Sequence, residues 1–245
     1  MKYVIMSDIH GNLEALNVCL EEFKKQPYDI LVCLGDFVGY GPNPNEVVEW
    51  AIQYKKDHPN SIFVYGNHDR AIADLRVDLS WYNLQARSAI VKHRKILSDD
   101  VRKFLLGLNE KEICDGLEFV HGSPRVWDEY IQEGFEALDA MDYMHQDSKL
   151  CFIGHTHVPK IWSNQEDMFG RPSNIREGEP LKRIVNVGSV GQSRDWNSQS
   201  CFVRYDGVTD VLEYVRVPYD IKVVQDRMMS LGSDPWLIER LQHGS

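Results

Sequence analysis

The chain has 245 residues, enough to bury a proper core in one α/β domain, and no apolar run approaches the roughly 20 residues a bilayer crossing needs. Its formal charge of −10 argues against broad adhesion to a nucleic-acid backbone, which takes a basic surface, yet it leaves room for a small phosphorylated substrate, a nucleotide included. The five cysteines are odd in number and scattered through apolar stretches, so free thiols of a reducing, cytoplasmic compartment are expected rather than disulfides or a zinc knuckle.

The first apolar segment, Tyr3 to Met6, begins almost at the first residue, so a secretory leader is not expected. It reads as a strand. Asn12 to Lys25 follows with Leu13, Leu16, Leu20 and Phe23 at helical spacing. Ile30 to Leu34 is the next predicted strand, Pro44 opens a helix carrying Val47, Val48, Ala51 and Ile52, and Ile62 to Tyr65 is a third strand. This βαβαβ order implies a parallel sheet. Between Asp78 and Leu108 the period is helical, with Ser98 as an N-cap, and a helical cover is expected.

From Ile113 onward strands dominate: Leu117 to Val120, Leu150 to Ile153, Ile184 to Val187, Cys201 to Tyr205 and Val211 to Val217. Their close spacing predicts a second sheet. The polar segment 163–182, with Gly170, Pro172, Gly178 and Pro180, is read as a loop excursion inside a single domain spanning 1–245. Residues 219–245 read as a C-terminal helical extension with a break near Gly232 to Pro235.

Five short polar blocks each follow a predicted strand: Asp8 with His10, Asp36, Asn67 with His68 and Asp69, His121, and His155 with His157. Taken singly, each has a bland reading as a turn former or an exposed loop histidine. Taken together, they gather five of the nine histidines at strand ends, where the loops of an α/β sheet converge, with Gly35, Gly66, Gly122 and Gly154 beside them. Imidazole and carboxylate donors with one amide oxygen suit Mn²⁺, Fe, Zn²⁺ or Co²⁺, whereas Ca²⁺ or Mg²⁺ sites favour oxygen. A two-metal centre needs a bridging carboxylate, and Asp36 is the candidate.

Asp8-Ile9-His10, Gly35-Asp36, Gly66-Asn67-His68-Asp69, His121-Gly122 and Gly154-His155-Thr156-His157 resemble, in order, the signature of the calcineurin-like metallophosphoesterases. Asn186-Val187-Gly188-Ser189-Val190-Gly191 is similar to a glycine-rich strand-end segment of that family's bacterial small phosphoesterase branch, and Tyr40, Asn43, His121-Gly122-Ser123-Pro124 and Gly191-Gln192-Ser193-Arg194-Asp195 together resemble a bacterial subgroup of predicted phosphodiesterases. The resemblance implies a four-layer α/β/β/α sandwich of two mixed sheets flanked by helices. It implies that Asp8, His10 and His157 hold one divalent ion, that Asn67, His121 and His155 hold the other, and that Asp36 bridges. Mn²⁺ is the foremost ion, with Fe, Zn²⁺, Co²⁺ and Ni²⁺ as alternatives. The implied reaction is hydrolysis of a phosphodiester or phosphomonoester by a metal-bridging hydroxide, with His68 as proton donor and Asp69 orienting its ring. The competing readings are a structural role for His68 and, for the whole chain, a catalytically idle scaffold or interaction subunit.

The sequence departs from the protein phosphatases of that family at Phe37-Val38-Gly39-Tyr40-Gly41-Pro42, where they carry Val-Asp-Arg-Gly, and their phosphate-gripping arginine is missing. Arg70, Arg125 and Arg194 are the available substitutes. Tyr40, Trp127 and Trp196 are candidates for stacking on a nucleobase, weighed against the commoner role of plugging the edge of a core.

Overall fold

The computed structural model describes residues 1–167, 170–171 and 180–245. Ten strands and eight helices follow one another there: β1 (Lys2–Met6), α1 (Leu13–Phe23), β2 (Ile30–Cys33), α2 (Pro44–Asp57), β3 (Ile62–Phe63), α3 (Asn67–Ala73), α4 (Leu84–Ile96), α5 (Asp99–Leu106), β4 (Lys111–Cys114), β5 (Leu117–Val120), α6 (Gly134–Met141), β6 (Leu150–Ile153), β7 (Lys160–Ser163), β8 (Arg183–Asn186), β9 (Ser200–Asp206), β10 (Val211–Val217), α7 (Ile221–Ser230) and α8 (Pro235–His243). They form two five-stranded sheets, ordered β10-β9-β1-β2-β3 and β4-β5-β6-β8-β7.

Period-two alternation explains the layering. Tyr3 and Ile5 of β1 point between the sheets, with Val32, Phe119, Phe152 and Val203, whereas Val4 and Met6 point outward beneath α1 and α2. Both faces of β1 are therefore apolar, and Tyr3 to Met6 reads as an unbroken hydrophobic run. Cys151 and Ile153 of β6 likewise face outward onto α6. Two sheets packed face to face with helices on both outer faces make the expected α/β/β/α sandwich of mixed sheets.

One expectation fails. Cys201 to Tyr205 and Val211 to Val217 belong to the first sheet, not the second: β9 runs antiparallel to β1, with Tyr3 opposite Tyr205, and β10 closes that edge. The open side of β1 takes them because β2 fills only the other side. α6, β4, β7 and the short α3 were not expected either, the last because the Asn67 block reads as a loop. The described ends of the 163–182 excursion join β7 to its antiparallel neighbour β8, while 168–169 and 172–179 lie outside the described residues. α7 and α8 occupy the stretch read as the helical extension, packed on each other through Val224, Met228, Leu237 and Leu241.

The parallel pairs β1-β2-β3 and β5-β6-β8 point their carboxyl ends to one rim. Every candidate ligand block leaves a strand at that rim. Among the described residues no helix is long and apolar enough to cross a membrane.

Candidate metal centre

The ligand-bearing loops are locked together by backbone contacts before any side chain is considered. Asp8 N–H donates to Gly35 O, His10 N–H to Asp36 O, and Gly191 N–H to Asp8 O. At Gly66 and Gly154 the approach is too close for a side chain: a Cβ would lie 2.1 Å from Asp36 Oδ1 and 2.1 Å from Ser7 Oγ respectively. Five ligand candidates, Asp8, His10, Asp36, His155 and His157, hold positive φ between 51° and 67°. Such backbone costs an L-residue roughly 1–2 kcal/mol, and it is concentrated where function demands an unusual turn.

Each buried carboxylate uses one oxygen to hold the frame and turns the other inward. Asp8 Oδ2 accepts from His155 N–H at 3.0 Å and Asp36 Oδ1 accepts from His68 N–H at 2.8 Å. Asp8 Oδ1 then stands 3.2 Å from His157 Nε2 and 3.7 Å from His10 Nε2, buried without a hydrogen-bond partner. Asp36 Oδ2 lies 3.6 Å from His10 Nε2 and 3.4 Å from His121 Nε2. One oxygen thus faces both groups of donors.

Backbone carbonyls decide the imidazole tautomers. A carbonyl only accepts, so the Nδ1 of His10 donates to Val38 O, that of His157 to Gln192 O and that of His121 to Leu34 O. In the neutral rings the Nε2 lone pairs all turn inward, with His10 Nε2 only 3.1 Å from His157 Nε2. Two lone pairs at that distance with no proton between them call for a cation. On the other side His121 Nε2 is 3.2 Å from Asn67 Oδ1 and 3.0 Å from His155 Nδ1. Asp8, His10 and His157 form one cluster of candidate metal ligands, and Asp36, His121 and His155 form another. Nitrogen and oxygen donors of this kind fit a divalent transition metal.

The electrostatics agree. Burial, the largest single influence, pushes the Asp8 carboxyl up, but His157, His121 and the Ser7 hydroxyl together hold the group below the usual carboxylate range. Burial likewise opposes ionisation of Asp36, and His121, His68 and His10 together override it and hold the carboxyl low. His10 and His155 are held well below their ordinary value, chiefly by burial, so both stay neutral. His121 is the exception: burial lowers it, yet Asp36 lifts it to about 9, so without a metal its Nε2 keeps a proton to serve Asp36.

His68 lies beside the cluster, its ring 5.0 Å from that of His10 and 4.6 Å from that of Tyr40. Burial pulls its pKa to about 4. Asp69 does not orient that ring. Its Oδ1 accepts from Val38 N–H at 3.1 Å and its Oδ2 from Gly66 N–H at 3.0 Å, so the carboxylate caps α3 and ties it to the Asp36 loop, while His68 Nδ1 has no hydrogen-bond partner. The first turn of a helix puts the N3 side chain back on the preceding backbone, whereas the Asn67 block by its sequence reads as a loop.

His93 was missed. From α4 its Nδ1 accepts Gly39 N–H at 3.1 Å and its Nε2 donates to Gly41 O at 3.0 Å, clasping the loop that lays Tyr40 over His10 and His68. No local sequence signal marks it, since it lies 54 residues beyond Gly39 on an amphipathic helix. Of the three arginines, Arg125 is committed to Glu129 and Asp139, and Arg70 lies 3.8 Å from Asp74. Arg194 makes no ion pair among the described residues; its guanidinium stands over the Tyr40 ring at 5.9 Å and its Nε is buried without a partner. Trp196 is 82% exposed beside the C-terminus, where its backbone N–H donates to Gly244 O.

A model of the calcineurin-like phosphoesterase superfamily domain matches residues 1–209. The uncharacterized protein MJ0912 of Methanocaldococcus jannaschii is 34% identical over 244 residues, covering 97% of this chain and 96% of its own. Among solved structures, a metallophosphoesterase from Sphaerobacter thermophilus superposes with a TM-score of 0.83 at 34% identity, covering 100% of this chain and 99% of its own. The hypothetical protein PH1004 of Pyrococcus horikoshii gives 0.82 at 23% identity, with 100% and 98% covered, and attests the fold.

Proposed function

The chain belongs to the calcineurin-like phosphoesterase superfamily, and from that premise we propose that it is a metal-dependent hydrolase of small phosphate esters, working with two divalent ions. The observation that carries this reading is the position of Asp36 Oδ2, 3.6 Å from His10 Nε2 and 3.4 Å from His121 Nε2. Asp8, His10 and His157 would hold one ion, Asn67, His121 and His155 the other, and Asp36 faces both groups. When bound, such ions supply an activated water at neutral pH and offset the charge that develops on phosphorus. Mn²⁺ is the foremost candidate ion, with Fe, Zn²⁺, Co²⁺ and Ni²⁺ also compatible with mixed nitrogen and oxygen donors.

The chain's own groups do the rest. Carbonyls fix the tautomers of His10, His121 and His157, so those ligands need no reorganisation. Arg194 supplies the cation for a phosphoryl oxygen that the missing arginine would otherwise provide. His68 donates a proton to the leaving-group oxygen. With its pKa pulled to about 4 by burial, the ring is neutral in the free site and gains proton affinity when an anionic ester arrives beside it. The idle-scaffold alternative has no support, since no donor has been lost.

The test is metal content together with turnover. Purified protein should carry close to two divalent ions per chain and hydrolyse an aryl phosphate ester with added Mn²⁺, and a chelator should abolish turnover. Protein that binds no metal and hydrolyses nothing would sink the reading.

A further inference from the structure

Beyond Asn67, His68 and His155 opens a cavity of about 640 Å³. Its walls are aromatic on two sides. Tyr82, from the segment after α3, holds Asn67 in place by donating its hydroxyl to Asn67 O at 3.0 Å, and its ring lies 5.9 Å from that of His68. Trp81 beside it is 91% exposed, an unusual position for a tryptophan that plugs nothing. From the loop after β5 come Trp127 and Tyr130, the Tyr130 ring 3.8 Å from that of His155.

We propose that this cavity is the leaving-group subsite and that it takes a nucleobase, making the substrate a small nucleotide ester. The inference rests on the hydrolase reading above, because only there does the His68 side become the side from which the leaving group departs. Three observations favour a base over other groups. The cavity has the size of a small-molecule pocket and room for a nucleoside. Its rings offer the flat faces on which bases stack. Its charges disfavour a second phosphate: Arg70, the cation on its lining, lies 3.8 Å from Asp74 and over the Tyr65 ring, whereas Asp128 makes no ion pair among the described residues and is free to accept from an exocyclic amine.

The full-length chain should show saturable quenching of tryptophan fluorescence by adenosine and cytidine but not by ribose. Trp81→Ala and Tyr130→Ala should each weaken adenosine binding about tenfold, while Tyr130→Phe, which keeps the ring, should bind as wild type and guards against a folding artefact. Asp128→Asn should narrow the preference for adenosine over purine riboside, which lacks the amine. No saturable quenching by any nucleoside, or unchanged binding in both alanine variants, would overturn the assignment. Nucleoside binding without hydrolysis of any ester by the Mn²⁺-loaded protein would instead defeat the hydrolase reading and leave the cavity's ligand standing.

Discussion

The group of Asp8, His10 and His157 differs from the group of Asn67, His121 and His155 in charge and in how its rings are held. The first brings a carboxylate of its own, and all three members sit at positive φ. Both of its imidazoles are fixed by carbonyls. The second brings a neutral amide, and of its members only His155 has positive φ. His155 also turns its Nδ1 inward and leaves Nε2 buried without a partner. The second group therefore depends on Asp36 for all of its negative charge, and the first does not. On the proposed two-ion reading, the two positions should therefore grip their ions unequally.

Substitution can break that picture at its centre. Asp36→Asn should abolish stoichiometric metal binding and lower kcat/KM by more than about a hundredfold, since even an outer partner of a metal ligand is worth about ten- to a hundredfold; near-normal metal content would refute the shared role. His68→Asn should lower kcat by about a hundredfold or more with metal content unchanged, which steady-state kinetics and metal analysis together would check.

The asymmetry itself is sharpened by a pair of variants. Asn67→Ala should leave about one ion per chain, whereas Asp8→Asn should weaken the tighter position and so leave less than one after dialysis. Equal losses would contradict unequal grip. Acid should act on the second group through His121. Its pKa is raised to about 9, so below that pH the metal-free ring carries a proton that the ion must expel. Metal affinity should accordingly rise with pH and level off above about 9, and calorimetry in buffers of different ionisation enthalpy should count the released proton. The smallest effect is expected at His93, which touches no ligand: His93→Phe strands Gly39 N–H and Gly41 O, at a stability cost of about 1–3 kcal/mol, measurable by denaturant unfolding, with metal content kept.

Much of this was legible in the sequence because its determinants are local. Strand runs such as Leu150 to Ile153 and the histidines just beyond them lie within a few residues of one another, so period and position identify both. Legibility ends where partners are distant. β9 finds β1 across nearly the whole chain, and His93 meets Gly39 only through the packing of α4. Asp69 illustrates a different failure: its type and its place beside His68 suggested a catalytic pair, but the onset of α3 turned it toward backbone. Of the tryptophans whose loop positions suggest stacking, Trp127 lines the cavity, whereas Trp196 does not.

His10 and His157 come within 3.1 Å of each other although 147 residues separate them. A cation held by both would staple the first loop of the chain to one beyond its midpoint. That is the service a disulfide performs in secreted proteins, where closing a long loop removes freedom from the unfolded chain. The five cysteines here are all free thiols. On the proposed reading the long-range cross-linking of this fold would be left to exchangeable ions, so its resistance to proteases and heat should follow the supply of metal rather than the redox state of its surroundings.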